Sequence, residues 1–410
     1  MHAPRRSSPF YGFYIVAACF FALFLLWGMV INTFPIFLKP IAEDMGWGRG
    51  ALALTLLMGS LGAAVAGPIA GRMIDRVGAR PVMLAGTIAI GLALLASSRI
   101  AALWQLYISF AVIGCGLMCA TIIPCSLLIS NWFISRRGMA MGVAFAGTSV
   151  GGMTMSPIAN WIILNHGWRV AFAFGGLTIL VMATPVVLLV IRTRPSELGL
   201  EPYRDPEAEA SGADTDWGVG VKQALSLWIF WQIAVIMLLV ALVTGGLGNH
   251  CVAYLTDLGH SPTRAAFAWS VVMGAMAVGK LSMGPLADRW GAKNTMAGAC
   301  VLFSLSIGIL VFAQPYWVAL AFAGIYGFAL GAPLVINPLL TTEYLGMRNF
   351  GTIYGILNAL TTVGMAAGPV AAGIFFDSQE TYLPVFYVFI VLMLLAVALS
   401  ALVRSGVREA

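Results

Sequence analysis

The chain has 410 residues, of which 60% are hydrophobic and only 9% are charged. Soluble proteins carry about 25% charged residues, so this composition excludes a soluble globular domain and indicates a polytopic membrane protein. The formal net charge is +6, but the placement of the basic residues is more informative than their sum, because it sets the orientation of a membrane protein.

A membrane-spanning helix needs about 20 predominantly apolar residues. Twelve stretches meet this requirement, and the predicted helices cover residues 12–38, 50–70, 81–98, 103–130, 138–162, 168–191, 227–255, 263–287, 294–313, 316–342, 350–374 and 381–403. The largest interruption, 192–226, is polar, charged and rich in proline, which is typical of a linker. We therefore predict an N-terminal six-helix bundle at 1–191, a cytoplasmic linker at 192–226 and a C-terminal six-helix bundle at 227–410.

Most of the 22 Lys and Arg residues fall in loops on one side of the predicted membrane. The loops of the opposite side hold Lys39, Arg49, Arg99, Arg169 and Arg264. Cytoplasmic loops carry the excess of basic residues. The pattern predicts a multi-pass protein of the cell (inner or cytoplasmic) membrane with both termini in the cytoplasm, which an even number of helices permits.

Two motifs recur at one fixed offset. The pattern G-x-x-x-D-R-x-G-A-[RK] begins at Gly71 and again at Gly284, and G-x-x-x-G begins at Gly138 and again at Gly351. Both offsets are equal, since 284 − 71 = 213 and 351 − 138 = 213. Such a repeat indicates a parallel duplication. Halves related in this way pack about an axis along the membrane normal, with the substrate site between them near the midplane.

Lys280 is the one Lys, Arg, Asp or Glu that falls near the middle of a predicted helix. An ammonium at that depth costs about 2.5–3.5 kcal/mol on insertion scales and is tolerated mainly beside a watery cavity or a partner. This position favours a functional site. The alternative is a structural lysine that reaches towards the membrane surface or bonds neighbouring carbonyls.

Other polar side chains lie midway along predicted helices and are candidates for lining the same cavity: Asn32, Thr33, Thr121, Thr148, Tyr326, Asn337, Tyr354, Asn358 and Thr361. For each of them, a hydrogen bond between helices is the alternative explanation. His250 lies nearer the outer end of its helix, and histidine changes charge near physiological pH. A structural role for His250 is equally open.

The stretch from Gly71 to Arg80 resembles the signature of the major facilitator superfamily between helices 2 and 3, and its repeat matches between helices 8 and 9. The resemblance implies an all-α membrane protein with twelve transmembrane helices in two pseudo-symmetric six-helix bundles. It also implies a gating role for seven residues of the two loops: Gly71, Asp75, Arg76, Arg80, Gly284, Asp288 and Arg289. In physical terms, Asp75 can interact with the positive N-terminus of a helix in the other half. If the loop served only to set the membrane topology, this would explain the arginines but not Asp75 or the glycines.

Two further stretches resemble the oxalate:formate antiporter and monocarboxylate porter families. One is Asn-Trp-Phe-x-x-Arg-Arg-Gly, which begins at Asn131, and the other is Lys280-Leu-Ser-Met-Gly. Lys280 stands where those families carry a cationic arginine in helix 8, so the resemblance implies that it pairs with a substrate carboxylate. Two departures are informative. Met276 occupies a position where proton-coupled porters often have Asp, and helix 11 lacks the second cation of oxalate exchangers.

One cation matches a monocarboxylate better than a dicarboxylate. We predict a secondary active transporter of a small organic anion, such as lactate, pyruvate or formate, which works by alternating access. Proton coupling and anion exchange both stay open. The alternatives are an exporter of amphipathic organic compounds and, outside transport, a membrane sensor.

The sequence favours no enzyme, because it shows no Gly-rich nucleotide loop, metal constellation or paired nucleophile and base. We expect no cofactor, no metal and no nucleic-acid partner. The expected partners are the lipid bilayer and the small anion, with protons as a further candidate, and the protein is expected to function as a monomer.

Overall fold

The computed structural model describes residues 10–205, 217–379 and 381–403. This part of the chain consists of helices and short connections, with two isolated β-bridges. The chain termini and the middle of the predicted linker, 206–216, lie outside the described residues. The domain boundaries 1–191, 192–226 and 227–410 and the cytoplasmic placement of both termini therefore stay predictions.

Twelve long helices account for most of the described chain. They are α1 Tyr11–Met45, α2 Arg49–Val77, α3 Ala79–Ser97, α4 Leu103–Trp132, α5 Arg137–His166, α6 Trp168–Val190, α7 Trp228–Asp257, α8 Pro262–Trp290, α9 Ala292–Val311, α10 Tyr316–Leu345, α11 Phe350–Gln379 and α12 Leu383–Leu402. In the described part of the chain, eleven of them are long and apolar enough to cross a membrane. The twelfth, α5, has 30 residues and is less apolar, because it is rich in glycine, serine and threonine.

Several helices extend beyond their predicted bounds. The stretch predicted at 12–38 continues to Met45, where Gly46 ends it with a positive φ of 68°, a conformation that glycine adopts without strain. The stretch predicted at 50–70 continues to Val77. The prediction followed the apolar residues alone. In the structure, helical hydrogen bonds continue into the more polar segments at the ends of these helices.

Irregular segments interrupt α1 and α4. A π-helix covers Trp27–Ile31 of α1, and Pro35 follows it within two turns. In α4 the helix breaks at Thr121, whose backbone leaves the helical region, and restarts at Ile122. Proline removes a backbone donor, and π-helical turns occur often at functional sites. Both breaks interrupt the regular helical hydrogen bonding inside helices of membrane-spanning length.

The two halves repeat the same helix pairings. In the first half α1 packs on α5, α2 on α4 and α3 on α6, and in the second half α7 packs on α11, α8 on α10 and α9 on α12. The halves meet through two further pairs, α2 with α11 and α5 with α8. The duplication predicted from the sequence is therefore present as repeated packing around one interface.

Glycines bring the halves into backbone contact. A Cβ atom on Gly71 would lie 1.9 Å from the Gly351 carbonyl oxygen, and one on Gly138 would lie 2.3 Å from that of Gly284. Any side chain at these positions would force the helices apart. The motifs that repeat at the offset of 213 thus form two close backbone contacts between the halves.

The described ends of the linker attach to equivalent loops of the two halves. The Tyr203 amide donates to the Trp132 carbonyl at 2.8 Å, beside a bridge between Tyr203 and Phe133. The Val219 amide donates to the Leu345 carbonyl at 3.1 Å, beside a bridge between Gly218 and Gly346. Phe133 and Gly346 differ by the repeat offset of 213. Each end of the linker is therefore held at the loop that precedes α5 or α11.

Candidate functional site

Lys280 lies on α8 with only 3% of its surface exposed. Its Nζ atom donates to Thr148 Oγ1 at 2.6 Å and to Ser149 Oγ at 2.8 Å, both on α5 of the other half. The ion pairs among the described residues are Lys39–Glu43, Arg136–Asp205 and Arg169–Asp44. Within the described chain, Lys280 thus has hydroxyl partners and no carboxylate partner.

Close packing of α5 on α8 allows these bonds. A Cβ atom on Gly142 would lie 2.5 Å from the Lys280 carbonyl oxygen, so α5 runs directly along α8 at this depth. Thr148 and Ser149 follow Gly142 by almost two helical turns. The lysine side chain extends along the interface to reach them.

The ammonium of Lys280 retains capacity for a further ligand. A protonated lysine has three N–H donors, and two of them are used by Thr148 and Ser149. A buried charge is stable only when it is compensated and its hydrogen bonds are made. The third donor and the missing negative charge together suit an anionic oxygen.

Helix α1 connects to this site through Asn32. The Asn32 side-chain amide donates to the Thr148 carbonyl and to the Trp27 carbonyl, both at 3.2 Å. Asn32 follows directly after the π-helix of α1. The structure therefore brings three of the residues predicted from the sequence together, namely Lys280, Thr148 and Asn32, and adds Ser149, which the sequence analysis did not select.

A second polar contact between the halves involves Tyr354 and Asn358. Tyr354 on α11 is 1% exposed, and its hydroxyl interacts with the side chains of Asn358 on the same helix and Ser126 on α4. Ser126 was also absent from the predicted set. Tyr354 and Asn358, two of the three predicted residues of α11, thus take part in a contact that does not include Lys280.

Three predicted threonines bond to their own helices. Thr33 donates to Met29 O, Thr121 to Leu117 O and Thr361 to Leu357 O. Such bonds satisfy a hydroxyl without any partner on another helix. These contacts are neither substrate contacts nor the bonds between helices named as the alternative, and the substrate-binding role of the three threonines stays a prediction.

The contacts of the remaining predicted residues do not include Lys280. Tyr326 donates to the Thr244 carbonyl within the second half at 3.3 Å. Asn337 is 6% exposed, and its Oδ1 has no partner among the described residues. His250 joins α7 to the Tyr382 hydroxyl at 3.1 Å and to the Pro369 carbonyl of α11 at 3.0 Å. For these three as well, substrate binding stays a prediction.

The carboxylates of the repeated loops cap helices of the opposite half. Asp75 accepts from the amides of Gly351 and Thr352, each at 2.8 Å, and from the Thr352 hydroxyl at 2.6 Å. Asp288 accepts from the amides of Gly138 and Met139 at 2.7 and 2.9 Å. Free amides and the helix dipole at an N-terminus favour an anion.

The interaction expected for Asp75 with a helix N-terminus is thus observed, and Asp288 repeats it. Arg80 donates to the Leu188 carbonyl of α6, whereas Arg76 and Arg289 are exposed. In this conformation the two halves are joined at the end of the molecule that carries these loops. A gating function for the seven loop residues remains a prediction.

A matched pair of threonines tests whether Thr148 supports the Lys280 ammonium. Thr148→Val keeps the shape of the side chain but removes one of the two acceptors of Lys280, so we expect it to lower the free energy of unfolding by about 1–3 kcal/mol. Thr361→Val, at the equivalent position of the other half (361 − 148 = 213), removes only a bond within α11 and should cost less than about 0.5 kcal/mol. Thermal unfolding of the purified variants in detergent measures the loss of stability in each. An equal loss of stability in the two variants would contradict this role of Thr148.

A comparison with known protein families identifies the family of this chain. Residues 16–261 and 250–409 match the Major Facilitator Superfamily. The chain belongs to the major facilitator superfamily. The predicted fold class is thereby confirmed, and the protein is a multi-pass membrane transporter of a group that is not generally enzymatic.

Relatives within the superfamily include monocarboxylate transporters. The chain is 26% identical to monocarboxylate transporter 13 of Rattus norvegicus over 398 residues, which cover 95% of this chain and 88% of the relative. It is 24% identical to monocarboxylate transporter 12 of Homo sapiens over 419 residues, 93% of this chain and 79% of that one. An MFS-type transporter of Gibberella moniliformis is 25% identical over 321 residues, 77% and 72% of the two chains. The predicted resemblance to monocarboxylate porters is confirmed.

Solved structures of the superfamily share the fold. The human organic anion transporter MFSD10 (TETRAN) superposes with a TM-score of 0.75 at 16% identity, over 96% of this chain and 100% of that one. The proton:xylose symporter XylE has a TM-score of 0.74 at 12% identity, over 95% and 94% of the two chains. At these identities the likeness concerns the fold alone.

Proposed function

We propose that the protein transports a small monocarboxylate across the cell membrane by alternating access and that Lys280 pairs with the substrate carboxylate. The observation that carries this proposal is the buried Lys280 ammonium, which contacts two hydroxyls and no carboxylate among the described residues. A monocarboxylate supplies the one missing negative charge. The monocarboxylate transporters among the relatives support the same substrate class.

The proposed cycle begins from the conformation described here. The helix caps made by Asp75 and Asp288 hold one end of the interface closed, so the anion enters from the opposite end and takes the free N–H of Lys280. Neutralising this charge lowers the free energy of enclosing the site, and a ligand shifts a conformational equilibrium by such a differential interaction. Release on the other side requires both caps to open.

Proton symport and anion exchange are both compatible with this cycle. Lys280 can itself carry a proton in the absence of a carboxylate partner, or a second anion can return on the same lysine. We propose that the protein works as a monomer with both termini in the cytoplasm. Uptake into vesicles preloaded with substrate, compared with empty vesicles under a proton gradient, separates the two forms of coupling.

A ligand screen on the purified protein tests the substrate class. A ligand present at 100 times its dissociation constant stabilises a protein by about 2.7 kcal/mol, so lactate, pyruvate or formate should raise the melting temperature by several degrees. The uncharged amide of lactate is the matched control and should produce no shift, because it brings no charge to Lys280.

Two results would contradict the proposal. The first is equal stabilisation by lactate and its amide. The second is stabilisation only by large amphipathic compounds, which would favour an exporter of such compounds. The fungal MFS-type transporters among the relatives make this second function the one to test in the same screen.

A further inference from the structure

A cavity of about 290 Å³ lies between the end of α3 and the start of α4. Seven residues line it: Ala96, Arg99, Ile100, Trp104, Gln105, Ile108 and Ser109. Its volume is near the lower end of the range for ligand pockets, about 300–1,000 Å³. The cavity lies at the end of the molecule opposite to the helix caps of Asp75 and Asp288, because α3 starts beside the first cap and crosses to the other end.

The cavity opens on the outer face of the first half. Trp104 and Ile108 are exposed on one face of α4, whereas Leu106 and Phe110 on the opposite face are buried in the core. An apolar face that a membrane-spanning helix leaves exposed contacts lipid. Tryptophan is enriched where a membrane meets water, and Trp104 belongs to the first turn of α4. The cavity therefore faces lipid at the level of the membrane surface.

The polar groups at the rim of the cavity are hydrogen-bond donors. The Arg99 guanidinium and the Trp104 indole nitrogen make no hydrogen bond or ion pair within the described chain. The side-chain oxygen of Gln105 already accepts from two backbone amides of the preceding loop, at 2.8 and 3.1 Å, which leaves its Nε2 atom as a donor. None of the seven described residues that line the cavity is Asp or Glu. The rim thus offers one positive charge and further N–H groups to an acceptor.

Ser109 is the buried polar group of the cavity, one helical turn deeper than Gln105. Its side chain is 8% exposed, and its hydroxyl has no partner among the described residues. Ser97 at the end of α3, by contrast, bonds to the Ala93 carbonyl of its own helix. Buried hydroxyls are normally paired, because the loss of hydration is costly. The free hydroxyl of Ser109 therefore indicates that the cavity accommodates a polar group at this depth.

One cation, several neutral donors and the positive end of the α4 dipole suit a phosphate diester, which carries a single negative charge. A phospholipid brings such a phosphate to the membrane surface, with its glycerol and acyl carbons against the apolar Ile100 and Ile108. The ammonium of phosphatidylethanolamine would find no carboxylate in this lining. The hydroxyls of phosphatidylglycerol, in contrast, can bond to Ser109.

We propose that this cavity binds the headgroup of an anionic phospholipid of the phosphatidylglycerol type. Arg99 supplies the counter-charge for its phosphate, and Ser109 supplies the buried hydrogen bond. The site lies on α3 and α4, outside the pairs α2–α11 and α5–α8 that join the halves. The proposal is therefore independent of the solute that the protein transports.

The test titrates the purified protein in detergent with phosphatidylglycerol and with phosphatidylethanolamine of the same acyl chains, and native mass spectrometry counts the bound lipid. The variants are Arg99→Gln, which removes the charge, and Ser109→Ala, which removes the buried hydroxyl. Arg264→Gln is the matched control, since Arg264 is an exposed arginine in the first turn of α8 at the same membrane surface. Glycerol 3-phosphate is added in a separate series as a soluble competitor.

The wild-type protein is expected to bind one phosphatidylglycerol with a Kd at least roughly tenfold below that for phosphatidylethanolamine, as one charge-assisted hydrogen bond allows. Arg99→Gln should remove this preference, Ser109→Ala should weaken the binding of phosphatidylglycerol, and Arg264→Gln should change neither. Equal Kd values of the two lipids for the wild-type protein, or an unchanged preference in Arg99→Gln, would overturn the proposal. Displacement of the bound lipid by an equal concentration of glycerol 3-phosphate would show a site for free phosphates and would overturn the assignment to a lipid.

Discussion

Lys280→Met is expected to abolish monocarboxylate uptake into proteoliposomes while leaving the melting temperature unchanged or higher. Transport is lost because the variant offers no charge and no donor to the carboxylate, and charge-assisted hydrogen bonds are among the strongest in proteins. Stability is retained because a buried charge without a counter-charge is itself costly, and apolar replacements of buried charged groups are often neutral or stabilising. Thr148 keeps its own bond to the Phe145 carbonyl.

A loss of uptake without a fall in melting temperature distinguishes a functional lysine from a structural one. A lysine that holds the halves together would lose stability on replacement, with transport falling only as far as folding does. Lys280→Arg is the matched control: it restores the charge and should recover part of the uptake, with a raised KM because the guanidinium is larger and planar. Undiminished uptake by Lys280→Met would refute the central role of this residue.

Asp75→Asn together with Asp288→Asn should shift the protein towards a conformation open at the capped end. Each carboxylate accepts at least two bonds from backbone amides of the opposite half, whereas an asparagine side chain offers one acceptor atom and places an amide group against the other donor. Hydrogen bonds to charged groups contribute about 1.5–3 kcal/mol each. A loss of about 3 kcal/mol in total corresponds to a population change of roughly a hundredfold.

The shift can be measured by cysteine labelling at Ser130, which is 2% exposed on α4 near Asp75. In a background without the native cysteines, Ser130→Cys should react slowly with a polar maleimide, and the double asparagine variant should raise the rate at least tenfold. Asp205→Asn, which removes the exposed ion pair with Arg136, is the control at the same end and should change little. An unchanged labelling rate in the double variant would show that the two caps do not hold the conformation.

The repeat and its two carboxylates could be predicted from the sequence because they depend on local spacing. The offset of 213 indicated which segments of the two halves correspond. A carboxylate at the end of a helix has few possible partners other than the N-terminus of another helix. The C-terminal end of α1 was harder to predict from the sequence. Its apolar stretch ends before the helix does, because the segment up to Met45 is amphipathic and follows a π-helical turn that no composition rule reveals.

The equivalent residues Thr148 and Thr361 show why the site could be predicted only in part. Both are threonines midway along corresponding helices, yet Thr148 bonds to Lys280 and Thr361 only to its own helix. The difference lies in the partner helix, where Gly67 stands at the position equivalent to Lys280 (280 − 67 = 213). Ser149 escaped prediction for a related reason, since it directly follows a hydroxyl residue that was already chosen.

The buried charge of Lys280 has a consequence for transport across a membrane that carries an electrical potential. With its proton in place, Lys280 gives the empty protein a positive charge in the core of the bilayer, and in the proposed cycle a bound monocarboxylate cancels it. A membrane potential acts on a charge by about 2.3 kcal/mol per 100 mV for a complete crossing. If Lys280 keeps its proton while the empty protein returns, that return is the voltage-sensitive step of the proposed cycle. In proton symport through Lys280, or in anion exchange, the protein reorients only as an electrically neutral unit.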